Sequence, residues 1–236
     1  MKFFTILILA LFMSCNSQEK KCNNDFNLKG LVQNVEETTK YSNYEMKSIY
    51  FLNENDYVLS IEVYTNNNLF EKSELKYDKN NIIQEIIVVD SKGKEKTKSH
   101  FVKNKENRIE KTLITSSNGK SIIFHHYNGS SEFPDSGKEL DNKGNFIRSW
   151  KLEYKNDLVS VQYNCNLDGT IISHTNFIYN DNNDLVEVFE KNKNEEITNS
   201  QYSEYQYDNK KNWIERKLYD ADKNLISTSI RKIKYW

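Results

Sequence analysis

Turn-forming tetrads recur along this chain at almost constant spacing, and that spacing limits the folds open to it more than any other feature. Thr65-Asn66-Asn67-Asn68, Asp90-Ser91-Lys92-Gly93, Ser116-Ser117-Asn118-Gly119, Asp141-Asn142-Lys143-Gly144, Asn166-Leu167-Asp168-Gly169 and Lys191-Asn192-Lys193-Asn194 end at positions separated by 25, 26, 25, 25 and 25 residues. A fixed period of this length marks a repeat architecture. A further turn, Ala221-Asp222-Lys223-Asn224, follows at 30 residues, the extra length falling in the aromatic stretch Tyr202 to Tyr207. About ten residues after most of these turns comes a second signal: Leu75-x-Tyr77-Asp78, Leu152-x-Tyr154-Lys155, Phe177-x-Tyr179-Asn180 and Tyr205-x-Tyr207-Asp208. Each unit therefore reads as strand, turn, strand, turn. The runs between turns, such as Leu158-Val159-Ser160-Val161-Gln162-Tyr163, are short and rich in β-branched and aromatic residues, as strands are.

The predicted fold class is all-β, with tandem β-hairpin repeats of about 25 residues forming a long antiparallel sheet over residues 28–236. Residues two apart on a strand share a face, so Leu75/Tyr77, Leu152/Tyr154, Phe177/Tyr179, Tyr205/Tyr207 and Ile233/Tyr235 each place an apolar pair on one side, a ladder in the assembled sheet. Ile86-Ile87-Val88-Val89 is apolar on both faces, which predicts a sheet covered on both sides. Some fourteen to sixteen strands exceed the ~10 beyond which an open twisted sheet curls or splits, so a curled or folded-over sheet is expected. The least regular stretch runs from His125 to Lys138 and holds the sole proline, Pro134. It reads as a loop insertion near 128–138, or a bend between two halves of the array.

The N-terminus carries an address. Lys2 precedes an apolar run from Phe3 to Met13, the length of a signal-peptide core and too short to span a bilayer as a helix. Its end, Leu11-Phe12-Met13-Ser14-Cys15, resembles the lipobox cut by lipoprotein signal peptidase, with Phe12 in place of the more usual leucine. Residues 1–14 are then the signal peptide and Cys15 the lipidated first residue of the mature chain, with ordinary secretion and cleavage near Ser14 as the alternative. Residues 15–27 are polar and without apolar periodicity, a flexible tether between lipid and fold. The expected location is the cell envelope, most simply the outer membrane, with the membrane contacted through the lipid. Cys22 and Cys165 remain; an oxidising compartment permits a bridge between them without requiring one.

Lys plus Arg number 33 against 34 Asp plus Glu, a formal charge of −1. No broad positive field exists to meet nucleic-acid phosphates. An aromatic fraction of 13% separates the chain from disordered ones, which are poor in aromatics. His125 and His126 are adjacent, so on a strand they face opposite ways and do not chelate one metal from one face. Asp181-Asn182-Asn183-Asp184 lacks the Gly and later Glu of an EF-hand loop, and no Gly-x-Ser-x-Gly elbow is present. Glu36-Glu37 and Glu195-Glu196 read as solvated charge. No cofactor is expected. Trp150, Trp213 and Trp236 are the candidate partner-binding residues, an aromatic platform for a sugar or protein, against the simpler reading that most of them pack the apolar side of the sheet.

Tyr205-Gln206-Tyr207-Asp208-Asn209-Lys210-Lys211-Asn212-Trp213-Ile214-Glu215-Arg216, closing with Arg231-Lys232-Ile233-Lys234-Tyr235-Trp236, resembles the terminal unit of the RHS-like, or YD-repeat-like, lipoproteins of Bacteroidetes. Leu28-Lys29-Gly30-Leu31-Val32 with Glu37-Thr38-Thr39-Lys40-Tyr41 is similar to their first strand. Lys103-Asn104 and Tyr154-Lys155 stand where other units carry Tyr-Asp. The resemblance implies a β-sheet shell or spiral with surface or binding roles and no one activity, since such repeats are scaffolds. The sequence thus predicts a non-enzymatic envelope lipoprotein that binds a protein or glycan through its sheet surface or the Pro134 loop. A structural or immunity-like adaptor of a larger envelope system is the second reading, and a hydrolase with an unrecognised site the third.

Overall fold

The structure is a computed structural model describing residues 28–236; the expected signal peptide, Cys15, the tether and Cys22 lie outside the described residues. The first eight strands are β1 (Val32–Tyr41), β2 (Glu45–Leu52), β3 (Val58–Thr65), β4 (Asn68–Tyr77), β5 (Ile83–Asp90), β6 (Glu95–Lys103), β7 (Ile109–Ser116) and β8 (Gly119–His126). The second eight are β9 (Ser136–Asp141), β10 (Phe146–Lys155), β11 (Leu158–Cys165), β12 (Ile171–Tyr179), β13 (Leu185–Asn192), β14 (Ile197–Tyr207), β15 (Trp213–Asp220) and β16 (Leu225–Tyr235). Every strand pairs antiparallel with its sequence neighbours, and β1 pairs with β16, closing a sixteen-stranded barrel. The antiparallel hairpin array is as the repeat predicts. The curled or folded-over open sheet is corrected to a closed one, and closure has a clear physical gain, because it removes the two unpaired edges that an open array would expose.

The repeat acquires a local mechanism. In turn after turn, an Asp or Asn backbone N–H bonds the carbonyl four residues on while its own carbonyl accepts from the residue three on, as at Asp78, Asp90, Asn104, Asn180 and Asp208. The side-chain Oδ1 of the same residue accepts the N–H groups two and four positions later, as Asp78 does from Asn80 and Ile82 and Asp208 from Lys210 and Asn212. The residue three on lies at positive φ, Asn81 at 60° and Lys211 at 64°. A short acceptor side chain at the first position thus satisfies the turn's own donors. Asp181 to Asp184 belongs to one of these turns, with Asn180 as its cap.

This one turn serves both ends of the barrel, with opposite results. The meander always advances to the same side, so from the lumen the chain turns clockwise at one end and anticlockwise at the other. The hairpin face that meets the lumen at one end therefore meets solvent at the other. The fifth residue after the Asx shows it: Val58, Ile83, Ile109 and Trp213 are buried, whereas Ile171, Ile197 and Leu225 are exposed.

At the first end, tyrosines finish the strands. Tyr77, Tyr127, Tyr154, Tyr179 and Tyr205 each donate a hydroxyl hydrogen bond to a carbonyl near the start of the preceding strand, those of Val58, Ile109, Pro134, Val159 and Leu185, at 2.7 to 3.1 Å. Tyr235 completes the circle by donating to Asp208 at 2.6 Å. The pairs expected to form a ladder do turn inward, but their hydroxyls are bonded rather than left in water. Tyr77→Phe or Tyr179→Phe should each cost about 1 kcal/mol, read as a lower urea midpoint at unchanged slope; no shift in either would show that the clasps are incidental.

The same end is narrowed from outside the strands. Leu28 joins the apolar cluster of Val32, Val35, Leu52, Val58 and Ile61, while the Lys29 N–H donates to Asn212 Oδ1 at 2.6 Å and Asn212 Nδ2 donates back to the Lys29 carbonyl. The loop between β8 and β9 folds onto this end too. Pro134 is fully buried, Phe133 stacks on Tyr154 with ring centroids 5.3 Å apart, and Arg108 holds the loop through the carbonyls of Gly129 and Ser131. Pro134 itself is therefore out of a partner's reach, while Asn128, Gly129, Ser130 and Glu132 of the loop are exposed. At the opposite end the strands are joined only by short turns, such as Asn66-Asn67 and Ser117-Asn118, too short to bridge a sixteen-stranded rim. That end is a mouth.

Candidate functional site

Alternation along each strand divides the barrel wall into two faces. Inward near the tyrosine end are Val35, Ile61, Ile86, Ile123 and Trp150, all buried. Further toward the mouth polar residues enter the inward face, Thr39, Ser48, Ser121, Asn164, Ser173, Thr175, Gln201, Ser203 and Ser227, while Met46, Val63, Val88, Ile114 and Leu218 keep other strands apolar at that level. Asn164, Thr175, Gln201 and Ser203 are half-exposed in mid-strand, so this part of the lumen is reached by solvent. A sixteen-stranded barrel is wide enough to leave an aqueous interior.

Among the charged groups of the lumen wall, two arginine–glutamate clusters stand on strands half the circumference apart. In the first, Arg231 Nε on β16 donates to Glu37 Oε2 on β1 at 3.0 Å. The Arg231 guanidinium lies 3.4 Å from the centroid of the Trp213 ring. Arg216 of β15 approaches the same carboxylate at 4.0 Å and the Ser229 hydroxyl at 3.5 Å, and Ser229 and Thr39 share a hydrogen bond of 2.8 Å. Burial, followed by the nearby Glu37 charge, pushes the Tyr50 hydroxyl well above its ordinary pKa. In the second group, Glu139 on β9 accepts from Arg148 Nε at 2.8 Å and from Ser121 Oγ at 2.6 Å, with Arg148 packed 5.5 Å from the Trp150 ring centroid.

Glu36-Glu37 is thus corrected as a solvated pair. Glu36 faces outward toward Lys232 at 3.9 Å, while Glu37 is inside and paired, because consecutive strand residues take opposite faces. Sequence reasoning also passed over Arg216, Arg231, Glu139 and Arg148, although their alternation with neighbouring apolar residues carries the signal for three of them. Trp150 and Trp213 are both buried in the wall, whereas Trp236 is 56% exposed; the three do not form one platform. His125 is buried and bonded to Thr112 at 2.9 Å, held neutral by a pKa pushed down to about 4 through burial, and His126 is exposed on the other face. Among the described residues no cluster of three or more His, Cys, Asp or Glu is arranged to hold a metal. Cys165 is a buried thiol.

The outer face is charged in the middle of the strands. Glu85 is bracketed by Lys76 at 2.9 Å and Lys98 at 2.6 Å, which hold its carboxyl down to about 2, and Lys72, Glu74, Glu204, Glu215 and Lys217 share that face. Ile87 and Val89, expected beneath a covering layer, are instead half-exposed outside, opposite Lys98 and Lys72 in register, whose aliphatic stems shield apolar surface while the ammonium groups stay wet.

No protein-family model matches the sequence, so the resemblance to RHS-like repeats has no family match behind it. No curated protein matches either. Among solved structures, a porin-like protein from Bacteroides uniformis is similar at a TM-score of 0.59 and 10% identity, over 88% of this chain and 99% of that one. That likeness shows a shared barrel fold. A LolA superfamily protein from Nitrosomonas europaea matches at a TM-score of 0.29 and 11% identity, over 97% and 93% of the two chains, too low to indicate a common fold.

Proposed function

We propose that this chain is a non-enzymatic envelope lipoprotein, tethered through Cys15, whose barrel stands beside the bilayer rather than in it and binds its partner at the lumen mouth. The observation that carries this reading is the charged outer wall. Spanning barrels show lipid an apolar band flanked by aromatic girdles, and a Lys or Arg at the bilayer midplane costs ~2 to 4 kcal/mol. Here Lys72, Glu74, Lys98, Glu204 and Lys217 stand in mid-wall, where lipid would force them to lose hydration. The porin-like neighbour supports the architecture, and the charged outer wall is what supports a place beside the bilayer.

A lipid is then the sole hold on the membrane, and the consequence is testable. Cys15→Ala behind an ordinary cleavable secretory signal peptide in place of residues 1–14 should abolish fatty-acid labelling and move the folded protein into the soluble envelope fraction, whereas an integral barrel would stay with the membrane after the same change. Retention of this unlabelled, cleaved protein in carbonate-washed membranes would sink the reading. A second reading, an adaptor docking on a larger assembly, is favoured by the aliphatic rim that the inverted hairpins create: Ile147, Leu167, Ile171, Ile197 and Leu225 are all exposed around the mouth.

A further inference from the structure

We infer that the lumen wall around Arg216 is a binding site for an oxyanion, a carboxylate or phosphate group carried by a solute that enters through the mouth. The inference rests on the reading of the lumen as the binding compartment and names the chemistry it would select. Charge comes first. Two guanidinium groups, Arg216 and Arg231, face one carboxylate, Glu37, and Arg231 already holds that carboxylate at 3.0 Å with both side chains about a tenth exposed. Arg216 makes looser contacts, 4.0 Å to Glu37, 3.5 Å to Ser229 and a hydrogen bond to the Tyr205 hydroxyl opposite it.

Its hydrogen bonding is equally incomplete. Arg216 Nε is buried and has no hydrogen-bond partner, while its counterpart across the barrel, Arg148 Nε, is spent on Glu139 at 2.8 Å. Arg108 Nε is orphaned in the same way, so the buried Nε marks incomplete pairing; it is the terminal N–H groups of the part-exposed side chain that a solute reaches and that match the planar or tetrahedral oxygens of carboxylate and phosphate. The surroundings hold the group ready. The Trp213 ring centroid lies 5.5 Å from the guanidinium carbon, and Tyr205, directly opposite Arg216 in register, donates its hydroxyl to the Leu185 carbonyl at 2.7 Å while its oxygen accepts from Arg216. The Arg216 side chain is 31% exposed. Toward the mouth the adjoining inward positions are Ser203 and Gln201, both half-exposed, with Leu218 and Asp220 opposite them on β15 and Glu190 inward on β13, so a solute approaches past two carboxylates.

The test uses the full-length lipidated protein in detergent, with Cys22→Ala, Cys165→Ala and Ser203→Cys, compared with the same protein lacking the Ser203 change. Labelling of the introduced thiol by a maleimide is followed while inorganic phosphate or acetate is titrated at ionic strength held constant with chloride. Saturable slowing of labelling by phosphate or by acetate is expected, and which of the two acts identifies the source. Arg216→Gln should weaken that protection about tenfold with the melting temperature held; should Arg216→Gln fail to fold, Arg216→Lys, which keeps the charge and loses the Nε donor, takes its place. Ready labelling that neither anion slows, or protection that survives loss of Arg216, overturns the oxyanion site and leaves the lumen reading standing. A thiol that does not react in the folded protein overturns both.

Discussion

Gly137→Ala should destabilise the barrel by about 3 kcal/mol, at the upper end of what an overpacked core methyl costs, and Gly137→Val by more. A Cβ at this position would lie 2.4 Å from Trp150 Cζ2, 2.7 Å from Cε2 and 2.9 Å from the Phe124 carbonyl oxygen. Neither neighbour has room to give. Trp150 is buried directly opposite Gly137 in the β9–β10 register, and the Phe124 carbonyl belongs to the β8 backbone that pairs with β9. The indole thus lies over the glycine, filling the space a side chain would take. Chemical denaturation should show the full loss in the native background and at least about 1 kcal/mol less of it when Trp150 is first changed to Leu, the signature of two residues in direct conflict. A Gly137→Ala protein within about 0.5 kcal/mol of wild type would mean that this packing is not present in solution.

Glu37→Gln should cost about 3 to 5 kcal/mol, the range for breaking a buried ion pair from one side. The Arg231 side chain is 7% exposed and that of Glu37 12%, so loss of the carboxylate strands a charge that water does not reach, with Arg216 adding a second positive group nearby. Changing both partners, Glu37→Met with Arg231→Met, should recover most of the loss, since apolar replacements of similar volume remove the desolvation cost along with the attraction. Equal damage from the single and double replacements would show that the pair acts through shape, not charge. The measurement is again the denaturation midpoint, compared at matched slope.

These two sites also mark where the sequence stops being readable. Local features were legible because they depend on local chemistry: Asp78 and Asp208 cap their turns through their own side chains, and alternation alone separates buried His125 from exposed His126. Closure was not, because no local signal states that β1 pairs with a strand ending at the other terminus. Glu37 and Arg231 are 194 positions apart, and the pairing exists only once the sheet has gone full circle. Pro134 shows an intermediate case. Its neighbours mark a loop, while its burial beneath the Tyr154 clasp depends on where the strand ends converge. The oxyanion site combines both difficulties, with Arg216 supplied by one hairpin and Glu37 by the first strand.

The inversion of one turn geometry between the two ends sets a quantum for changes in barrel size. A whole repeat contributes one hairpin of each orientation, so removing or adding it keeps every remaining side chain on its own side of the wall. A single strand with a single turn does not have that freedom, because everything after it would meet the lumen with its solvent face. Circumference in this architecture can therefore grow or shrink only two strands at a time, and a shortened chain lacking one internal unit should still close, as a narrower vessel with the same lining.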